Sequence, residues 1–195
     1  MGITLSQADA TRLIRLLDEL ERWNRTYNLT AIRGREDMVT HHLLDSLSVQ
    51  ADLQGDRVAD VGTGAGFPGL PLALLNPARY FALIDANGKK IRFVQHAARE
   101  LGLTNVEGIH ARVESMSVRE PYDTVVSRAF APLPAMVADV APLCGPRTRL
   151  LAMKGKWPQE ELDALPAGWL QQGSHPLNVP GLNESRCVVV LTRAD

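Results

Sequence analysis

The feature that most constrains the fold is a glycine-rich turn between an apolar run and a helical run. It reads Val58-Ala59-Asp60-Val61-Gly62-Thr63-Gly64-Ala65-Gly66-Phe67-Pro68-Gly69. Glycines let a backbone turn sharply and let a ligand approach it closely. Asp85 ends the next apolar run, where a carboxylate can accept hydrogen bonds from both ribose hydroxyls of an adenosine. The sequence therefore predicts an open α/β sheet that binds a nucleoside-bearing ligand at the carboxyl ends of its strands.

From residue 57 onward, short apolar runs alternate with segments of helical periodicity. The predicted strands are 57–61, 80–84, 106–110, 123–127 and 149–153, and the predicted helices are 70–75, 88–101, 133–143 and 159–165. Two further apolar runs, 169–176 and 185–192, have no helical segment between them. The alternation predicts a mostly parallel sheet with helices on both faces, and the last two runs predict a C-terminal antiparallel hairpin.

The chain before this alternation is predicted to form a helical extension. Leucines at 13, 16, 17 and 20 recur at helical spacing, which predicts a helix over 5–24 with a capping box at Thr4 and Gln7. A second helix is predicted over 35–48. The loop at 50–56 separates this extension from the sheet. We therefore expect one domain over 1–195, made of a helical extension (1–52) and a Rossmann-like core (56–195).

Composition excludes several classes of protein. The two cysteines, Cys144 and Cys187, lie far apart and outside any metal-ligand spacing, so we expect no disulfide framework and no metal site. The first residues lack a basic stretch followed by an apolar one, and the chain has no apolar run of about 18 residues. These observations predict a cytoplasmic protein without a membrane span. The formal net charge of −1 means that any nucleic-acid contact must come from local basic patches.

The glycine turn is compatible with two kinds of cofactor. Gly64-x-Gly66-x-x-Gly69 matches the dinucleotide fingerprint, which alone is a weak signal. Asp60-x-Gly62-x-Gly64-x-Gly66 matches the glycine loop of Rossmann-like class I methyltransferases. A pyrophosphate favours free helix N–H groups without a nearby carboxylate, whereas Asp60 at the loop entrance suits a cation. The sequence therefore favours S-adenosylmethionine, a sulfonium, over a nicotinamide dinucleotide.

The residues after the fourth predicted strand bear on the kind of methyl transfer. They read Ser127-Arg128-Ala129-Phe130-Ala131-Pro132, without the Asn/Asp-Pro-Pro-aromatic run common in enzymes that methylate exocyclic amines. Methylation of cytosine C5 needs a cysteine nucleophile, and both cysteines are interpreted as small core residues. A ring nitrogen such as guanine N7 attacks through a free lone pair and needs neither device. The absence of an obvious base is consistent with that acceptor.

Taken together, these residues resemble the RsmG (GidB) family of 16S ribosomal RNA guanine-N7 methyltransferases. The matching segments appear in order over residues 23–190, a coverage that a single motif would not give by chance. They are Asn28-Leu29-Thr30, His42-Leu43-Leu44-Asp45-Ser46, Asp60 to Gly69, Lys89-Lys90-x-x-Phe93, Arg112-Val113-Glu114, Ser127-Arg128-Ala129, Lys154-Gly155 and Glu184-Ser185-Arg186.

The resemblance implies methyl transfer from S-adenosylmethionine to N7 of one guanine in the decoding-region hairpin of 16S rRNA. The partner would be 16S rRNA or the assembling or mature small ribosomal subunit, met by a monomeric enzyme. The residues implied to bind the cofactor are Asp60, Gly62, Gly64, Gly66, Phe67, Asp85, Val113, Glu114 and Arg128. Arg128, Lys154 and Arg186 are candidates for positioning the substrate.

Several interpretations stay open at this point. A small-molecule methyltransferase and a non-catalytic nucleotide- or RNA-binding module are the alternative functions. His42 and Asp45 fit a helix-stabilising pair as well as a catalytic pair. Trp23 and Tyr27 fit packing of the first helix better than base stacking. Phosphate contacts are expected from basic residues that the predicted topology brings to the substrate edge, namely Arg33, Arg35, Lys154, Lys156 and Arg186.

Overall fold

A seven-stranded mixed sheet forms the centre of the protein, which we describe over residues 2–194 of a computed structural model. The strand order is β3-β2-β1-β4-β5-β7-β6. The strands are β1 (Arg57–Val61), β2 (Tyr80–Asp85), β3 (Val106–His110), β4 (Tyr122–Arg128), β5 (Cys144–Lys154), β6 (Trp169–Pro176) and β7 (Cys187–Arg193). The first five strands pair in parallel, and β7 pairs antiparallel with both β5 and β6. The predicted fold class, including the C-terminal hairpin, is confirmed.

Helices cover both faces of the sheet, and each face has its own apolar core. The helices are α1 (Gln7–Tyr27), α2 (Arg35–Met38), α3 (Asp45–Leu47), α4 (Gly69–Leu75), α5 (Gly88–Glu100), α6 (Leu133–Val140) and α7 (Gln159–Asp163). Helices α1, α4 and α5 bury their apolar sides in one core, and α6 does so in the other. Val58 points into the first core and Ala59 into the second, which explains why the central strands are apolar at nearly every position.

Helix α1 forms as predicted, with a different cap. Its apolar side is buried in the first of these cores through Leu13, Leu16, Leu17 and Leu20. Ser6 caps the helix through a hydrogen bond that its Oγ accepts from the N–H of Asp9, so the capping box predicted at Thr4 and Gln7 is wrong. After the helix, Asn24 exchanges two hydrogen bonds with the backbone of Thr30 and closes the following turn.

The predicted second helix over 35–48 is helical but not a continuous α-helix. A π-helical turn, Val39–Leu44, lies between α2 and α3. A π turn accommodates one extra residue and is frequent near functional sites. It contains His41 and His42, and Asp45 follows immediately. His42 and Asp45 are both buried against the sheet.

Several elements begin or end a few residues away from the prediction, and two of these differences are informative. Helix α4 begins at Gly69, one residue before the predicted start, and Pro68 immediately precedes it. Strand β5 begins five residues earlier than expected, at Cys144, which pairs with Tyr122 across a register shift. The hydroxyl of Thr148 donates to the carbonyl of Tyr122 and supports this irregular start.

Cys144 and Cys187 are buried core residues, as predicted, and burial raises the pKa of the Cys144 thiol to about 12.

Two negative findings apply to residues 2–194. No helix there is long and apolar enough to cross a membrane. The same part of the chain contains no group of His, Cys, Asp or Glu side chains arranged to hold a metal ion.

Candidate active site

The glycine turn is held in shape by the aspartate that opens it. Asp60 is fully buried, and its Oδ2 accepts hydrogen bonds from Thr63 Oγ1 at 2.6 Å and from the N–H of Gly69 at 2.8 Å. Burial raises the pKa of this carboxyl to about 6, although these two hydrogen bonds lower it. The carboxylate thereby links Thr63 near the start of the turn to Gly69 at its end. The side chain of Asp60 has no exposed surface, so its contact with a cofactor stays a prediction.

A second carboxylate, that of Asp85 at the end of β2, contacts the glycine turn and lines a cleft. The Oδ2 of Asp85 accepts a hydrogen bond from the N–H of Gly64 at 2.9 Å, and its Oδ1 accepts one from the N–H of Asn87 at 2.8 Å. Gly64 donates this bond with a φ of +61°, a backbone conformation that L side chains rarely adopt. The Nζ of Lys90 lies 4.0 Å from the same carboxylate. Asp85 is thereby oriented at the end of β2.

A first cleft of about 410 Å³ opens along the carboxyl ends of β1, β2 and β4. It is lined by Val61, Gly62, Ile84, Asp85, Ala86, Lys90, Ala111, Arg112, Val113, Glu114, Ala129, Phe130 and Asp139. Four of the predicted cofactor residues meet there, namely Gly62, Asp85, Val113 and Glu114. Phe67 does not line this cleft. It is buried and stacks on His42, so its predicted cofactor contact is untested.

A second cleft of about 420 Å³ lies beside the first and shares Ala129 with it. Its wall consists of Ile32, His41, His42, Asp45, Arg128, Ala129, Met153, Lys154, Gly155 and Arg186. The three predicted substrate-positioning residues, Arg128, Lys154 and Arg186, therefore share one cleft. Ala129 adopts a φ of +52° directly after β4, and this turn separates the two clefts. Arg128 lines the second cleft, whereas its predicted cofactor contact would require the first.

Asp45 joins two of these basic residues. The Nη1 of Arg128 donates to Asp45 Oδ2 at 2.8 Å and to the carbonyl of His41 at 2.6 Å. The Nε of Arg186 lies 3.3 Å from Asp45 Oδ1. Two guanidinium groups thus share one buried carboxylate, which leaves a net positive charge on this wall. The pair predicted between Asp45 and His42 is replaced by this arrangement.

Lys154 and His42 complete the second cleft. The Nζ of Lys154 donates to Glu161 Oε2 at 2.7 Å and to the carbonyl of Ala131 at 2.9 Å. His42 is buried, its Nε2 lies 3.1 Å from Thr30 Oγ1, and its ring stacks on Phe67 with centroids 4.6 Å apart. Burial, followed by the charge of Arg128 and by His41, lowers the pKa of His42 to about 3. The ring is therefore neutral at physiological pH.

Sequence reasoning did not assign several of the residues that line these clefts. Lys90, Phe130 and Asp139 line the first cleft. Lys90 was within a recognised motif, but its helical position also fits a solvent-exposed face. Phe130 and Asp139 had no local signal, because their position depends on the Ala129 turn and on α6. Trp23, by contrast, packs on Phe93 as the helix-packing interpretation predicts, with ring centroids 5.6 Å apart.

The sheet order, the glycine turn and the strand-end carboxylate together define a Rossmann-like fold of the class I methyltransferase type. The family model described as GidB, rRNA small subunit methyltransferase G, matches residues 9–189. The chain belongs to this family, as its sequence predicts. A Nitrosococcus oceani protein named ribosomal RNA small subunit methyltransferase G is 46% identical over 191 residues, which are 98% of this chain and 89% of that protein. The protein of the same name from Methylococcus capsulatus is 50% identical over 175 residues, covering 90% of this chain and 85% of that protein.

Solved structures support the fold independently. The magnesium protoporphyrin IX methyltransferase of Synechocystis, solved with bound S-adenosylmethionine, has a TM-score of 0.61 at 19% identity and full coverage of both chains. The Bacillus subtilis tRNA methyltransferase TrmK has a TM-score of 0.62 at 14% identity, covering 77% of this chain and 66% of that one. At these identities the similarity establishes the fold alone.

Proposed function

We propose that this protein transfers a methyl group from S-adenosylmethionine to N7 of a guanine in the decoding-region hairpin of 16S rRNA. Membership of the rRNA small subunit methyltransferase G family establishes the enzyme class and the cofactor. The observation that carries the proposal is the meeting of two clefts of similar size at Ala129. One cleft suits a nucleoside cofactor, and the other, with its basic wall, suits a nucleotide. Monomeric action in the cytoplasm stays a prediction.

The first cleft fits the cofactor chemically. A carboxylate has about four lone-pair sites, and Asp85 uses two of them for the N–H groups of Gly64 and Asn87. Two sites are left for the two hydroxyls of a ribose. Val113 and Glu114 would flank the adenine, and Gly62 would face the methionine portion. Asp60, Gly64, Gly66 and Phe67 support this arrangement by shaping the loop.

The chemistry needs alignment more than proton transfer. S-adenosylmethionine supplies an electrophilic methyl group on a sulfonium. The Ala129 turn brings the acceptor base to the boundary of the two clefts, and the walls of the second cleft orient it. Orientation of this kind can lower a barrier by about 7–11 kcal/mol at best. Since N7 attacks through a free lone pair, no residue has to remove a proton first.

Asp85→Ala should weaken S-adenosylmethionine binding about 5- to 150-fold, the equivalent of roughly 1–3 kcal/mol for unpaired hydroxyl partners. Isothermal titration calorimetry measures the change. Asp56→Ala is the control, because this exposed aspartate lies outside both clefts. Unchanged affinity in Asp85→Ala would show that Asp85 does not hold the ribose.

The rate of methyl transfer should be nearly independent of pH. Under single-turnover conditions we expect less than about a threefold change between roughly pH 7 and pH 8.5, because His42, with a pKa of about 3, and Asp60, with a pKa of about 6, are both already deprotonated in this range. The measurement is a quench-flow time course at each pH, with wild type and His42→Ala compared. A bell-shaped profile that loses one limb in His42→Ala would assign a proton-transfer step to His42 and contradict the mechanism.

The affinity for rRNA should fall as the salt concentration rises. Fewer basic residues should contribute phosphate contacts than the sequence predicts. Arg35 is neutralised by Asp18 at 2.6 Å and Glu21 at 3.3 Å, whereas Arg33 and Lys156 are exposed without a carboxylate partner among residues 2–194. Arg33→Ala and Lys156→Ala should each flatten the log–log slope of affinity against salt by about 0.7–0.9. Arg35→Ala should leave the slope unchanged. Equal slopes in all four proteins would contradict this assignment.

The test of the proposed function is transfer of a labelled methyl group to rRNA from a strain that lacks the enzyme. Naked 16S rRNA, small subunits and a panel of small metabolites are offered in parallel. We expect label in 16S rRNA or in the subunit, and none in the metabolites. Label confined to metabolites would indicate a small-molecule methyltransferase, and cofactor binding without any transfer would indicate a non-catalytic module.

A further inference from the structure

The second cleft contains a buried polar atom that has no partner. His42 is 6% exposed, lines this cleft, and its Nδ1 has no hydrogen-bond partner among the described residues. Leaving a buried polar group unpaired costs about 1–3 kcal/mol. In the free protein this atom has almost no accessible surface, so a ligand that enters the cleft reaches it only when the side chains that cover it shift.

The hydrogen bonds around the ring indicate which nitrogen carries the proton. Thr30 Oγ1 accepts a hydrogen bond from the N–H of Ile32 at 3.2 Å and lies 3.1 Å from His42 Nε2. The hydroxyl of Thr30 has no other acceptor among residues 2–194, and we take it as the donor to Nε2, an assignment that the tautomer measurement below tests. In a neutral imidazole the proton is then on Nδ1, which becomes a free donor.

The ring is held in place, and the other polar groups of the cleft are engaged. His42 lies nearly parallel to Phe67, with an interplanar angle of 20°. Arg128 and Arg186 contact Asp45, and Lys154 is held by Glu161 and the carbonyl of Ala131. Burial keeps the pKa of His42 at about 3, so the ring offers one N–H and no positive charge.

We propose that the Nδ1–H of His42 donates a hydrogen bond to O6 of the target guanine and thereby selects guanine over adenine. The inference rests on the proposed function. Guanine presents O6 beside N7, both as acceptors, whereas adenine presents an amino group at the same place, which would oppose a donor. A hydrogen bond to O6 also orients the adjacent N7. His42 is thus a positioning and specificity-determining residue, and the reaction needs no proton from it.

The test combines two changes in the protein with one in the base. His42→Asn keeps a donor near the position of Nδ1, whereas His42→Gln keeps a polar atom near Nε2 and its bond to Thr30. The substrate is 16S rRNA in which the methylated guanine is replaced by 2-aminopurine, which keeps N7 and lacks O6. The measured quantity is the ratio of kcat/KM for guanine to that for 2-aminopurine. The ratio in His42→Gln reports the intrinsic reactivity of the two bases.

We expect the wild-type ratio to exceed the His42→Gln ratio by about 10- to 100-fold, the size of effect for a lost buried hydrogen bond. His42→Asn should keep most of the wild-type ratio. If His42→Gln behaves as wild type and His42→Asn does not, His42 acts only through Thr30 and the proposal is overturned. A wild-type ratio no larger than that of His42→Gln overturns it and leaves the proposed function intact. A wild type that methylates no rRNA guanine overturns both.

The tautomer can be tested without RNA. Nitrogen-15 spectra of the histidine rings in the free protein should show His42 neutral, with the proton on Nδ1, from about pH 5 to pH 8. A neutral ring with the proton on Nε2 would leave Nδ1 as an acceptor and overturn the proposal. This measurement does not depend on whether the rRNA assignment is correct.

Discussion

Gly66→Ala is expected to lower the free energy of unfolding by about 2–5 kcal/mol, the sum of left-handed backbone strain and overpacking. Gly66 has a φ of +87°, and a Cβ there would lie 2.3 Å from Leu70 Cδ1 and 2.7 Å from Leu70 Cγ. Leu70 is fully buried in the core beneath the loop and cannot move aside without displacing its neighbours. Chemical denaturation followed by circular dichroism measures the loss.

Gly102→Ala is the matched control for backbone strain alone. Gly102 has a φ of +62° after α5, and a Cβ there would meet no atom within 4 Å. Its loss should be about 1–2 kcal/mol, the left-handed strain alone. Equal losses at Gly66 and Gly102 would show that the contact with Leu70 does not constrain the loop.

Asp45→Ala should also be destabilising, by about 3–5 kcal/mol, because it removes a buried carboxylate that two partly buried guanidinium groups share. The Asp45 side chain is 3% exposed and that of Arg128 is 21% exposed. Without the carboxylate, the guanidinium of Arg128 keeps only the carbonyl of His41, and Arg186 loses its acid partner. The same variant should reduce methyl transfer, since both arginines line the second cleft.

Asp18→Ala provides the comparison for an ion pair in solvent. Asp18 contacts Arg35 at 2.6 Å, but its side chain is 60% exposed. Removing such a pair costs about 0–1 kcal/mol. If Asp45→Ala and Asp18→Ala lose equal stability, the Arg128–Asp45–Arg186 arrangement does not hold the helical extension to the sheet.

The strands of the core could be predicted well because each is a short apolar run bounded by polar or glycine residues. Burial on both faces gives β1 and β2 their apolar character, and the predicted β1 and β3 have the observed bounds. The start of β5 was missed because Gly145 and Pro146 disfavour a strand locally. Pairing with β4 and the Thr148 hydrogen bond override that preference.

The helical extension contains two features that the local sequence pattern does not predict, a π turn and the cap of the first helix. The apolar spacing over 35–48 predicts a helix, and nothing in it marks the π turn at Val39–Leu44. That turn depends on how His42 and Asp45 pack on the sheet. A sequence-local rule also selects Thr4 and Gln7 as a cap, although Ser6 is the residue whose side chain reaches the free N–H of Asp9.

The candidate site also contains residues that the sequence predicts and contacts that only the fold creates. Gly62, Asp85, Val113 and Glu114 were predicted for one cleft, because strand ends of a parallel sheet converge at one edge. The contact between Asp45 and Arg128 joins residues 83 positions apart, and no local signal specifies it. The same holds for the stacking of His42 on Phe67, which links the helical extension to the glycine turn.

The central claim is that the methyl group goes to N7 of one guanine, and the position of that group on the base tests it most directly. rRNA from a strain lacking the enzyme is methylated in vitro, reduced with borohydride and treated with aniline, which cleaves the strand where N7 carries a methyl group. Primer extension then locates the break. The account predicts one new stop, at a guanine of the decoding-region hairpin, that requires both the enzyme and S-adenosylmethionine. Labelled rRNA that resists this cleavage, or a stop at another base, would contradict it.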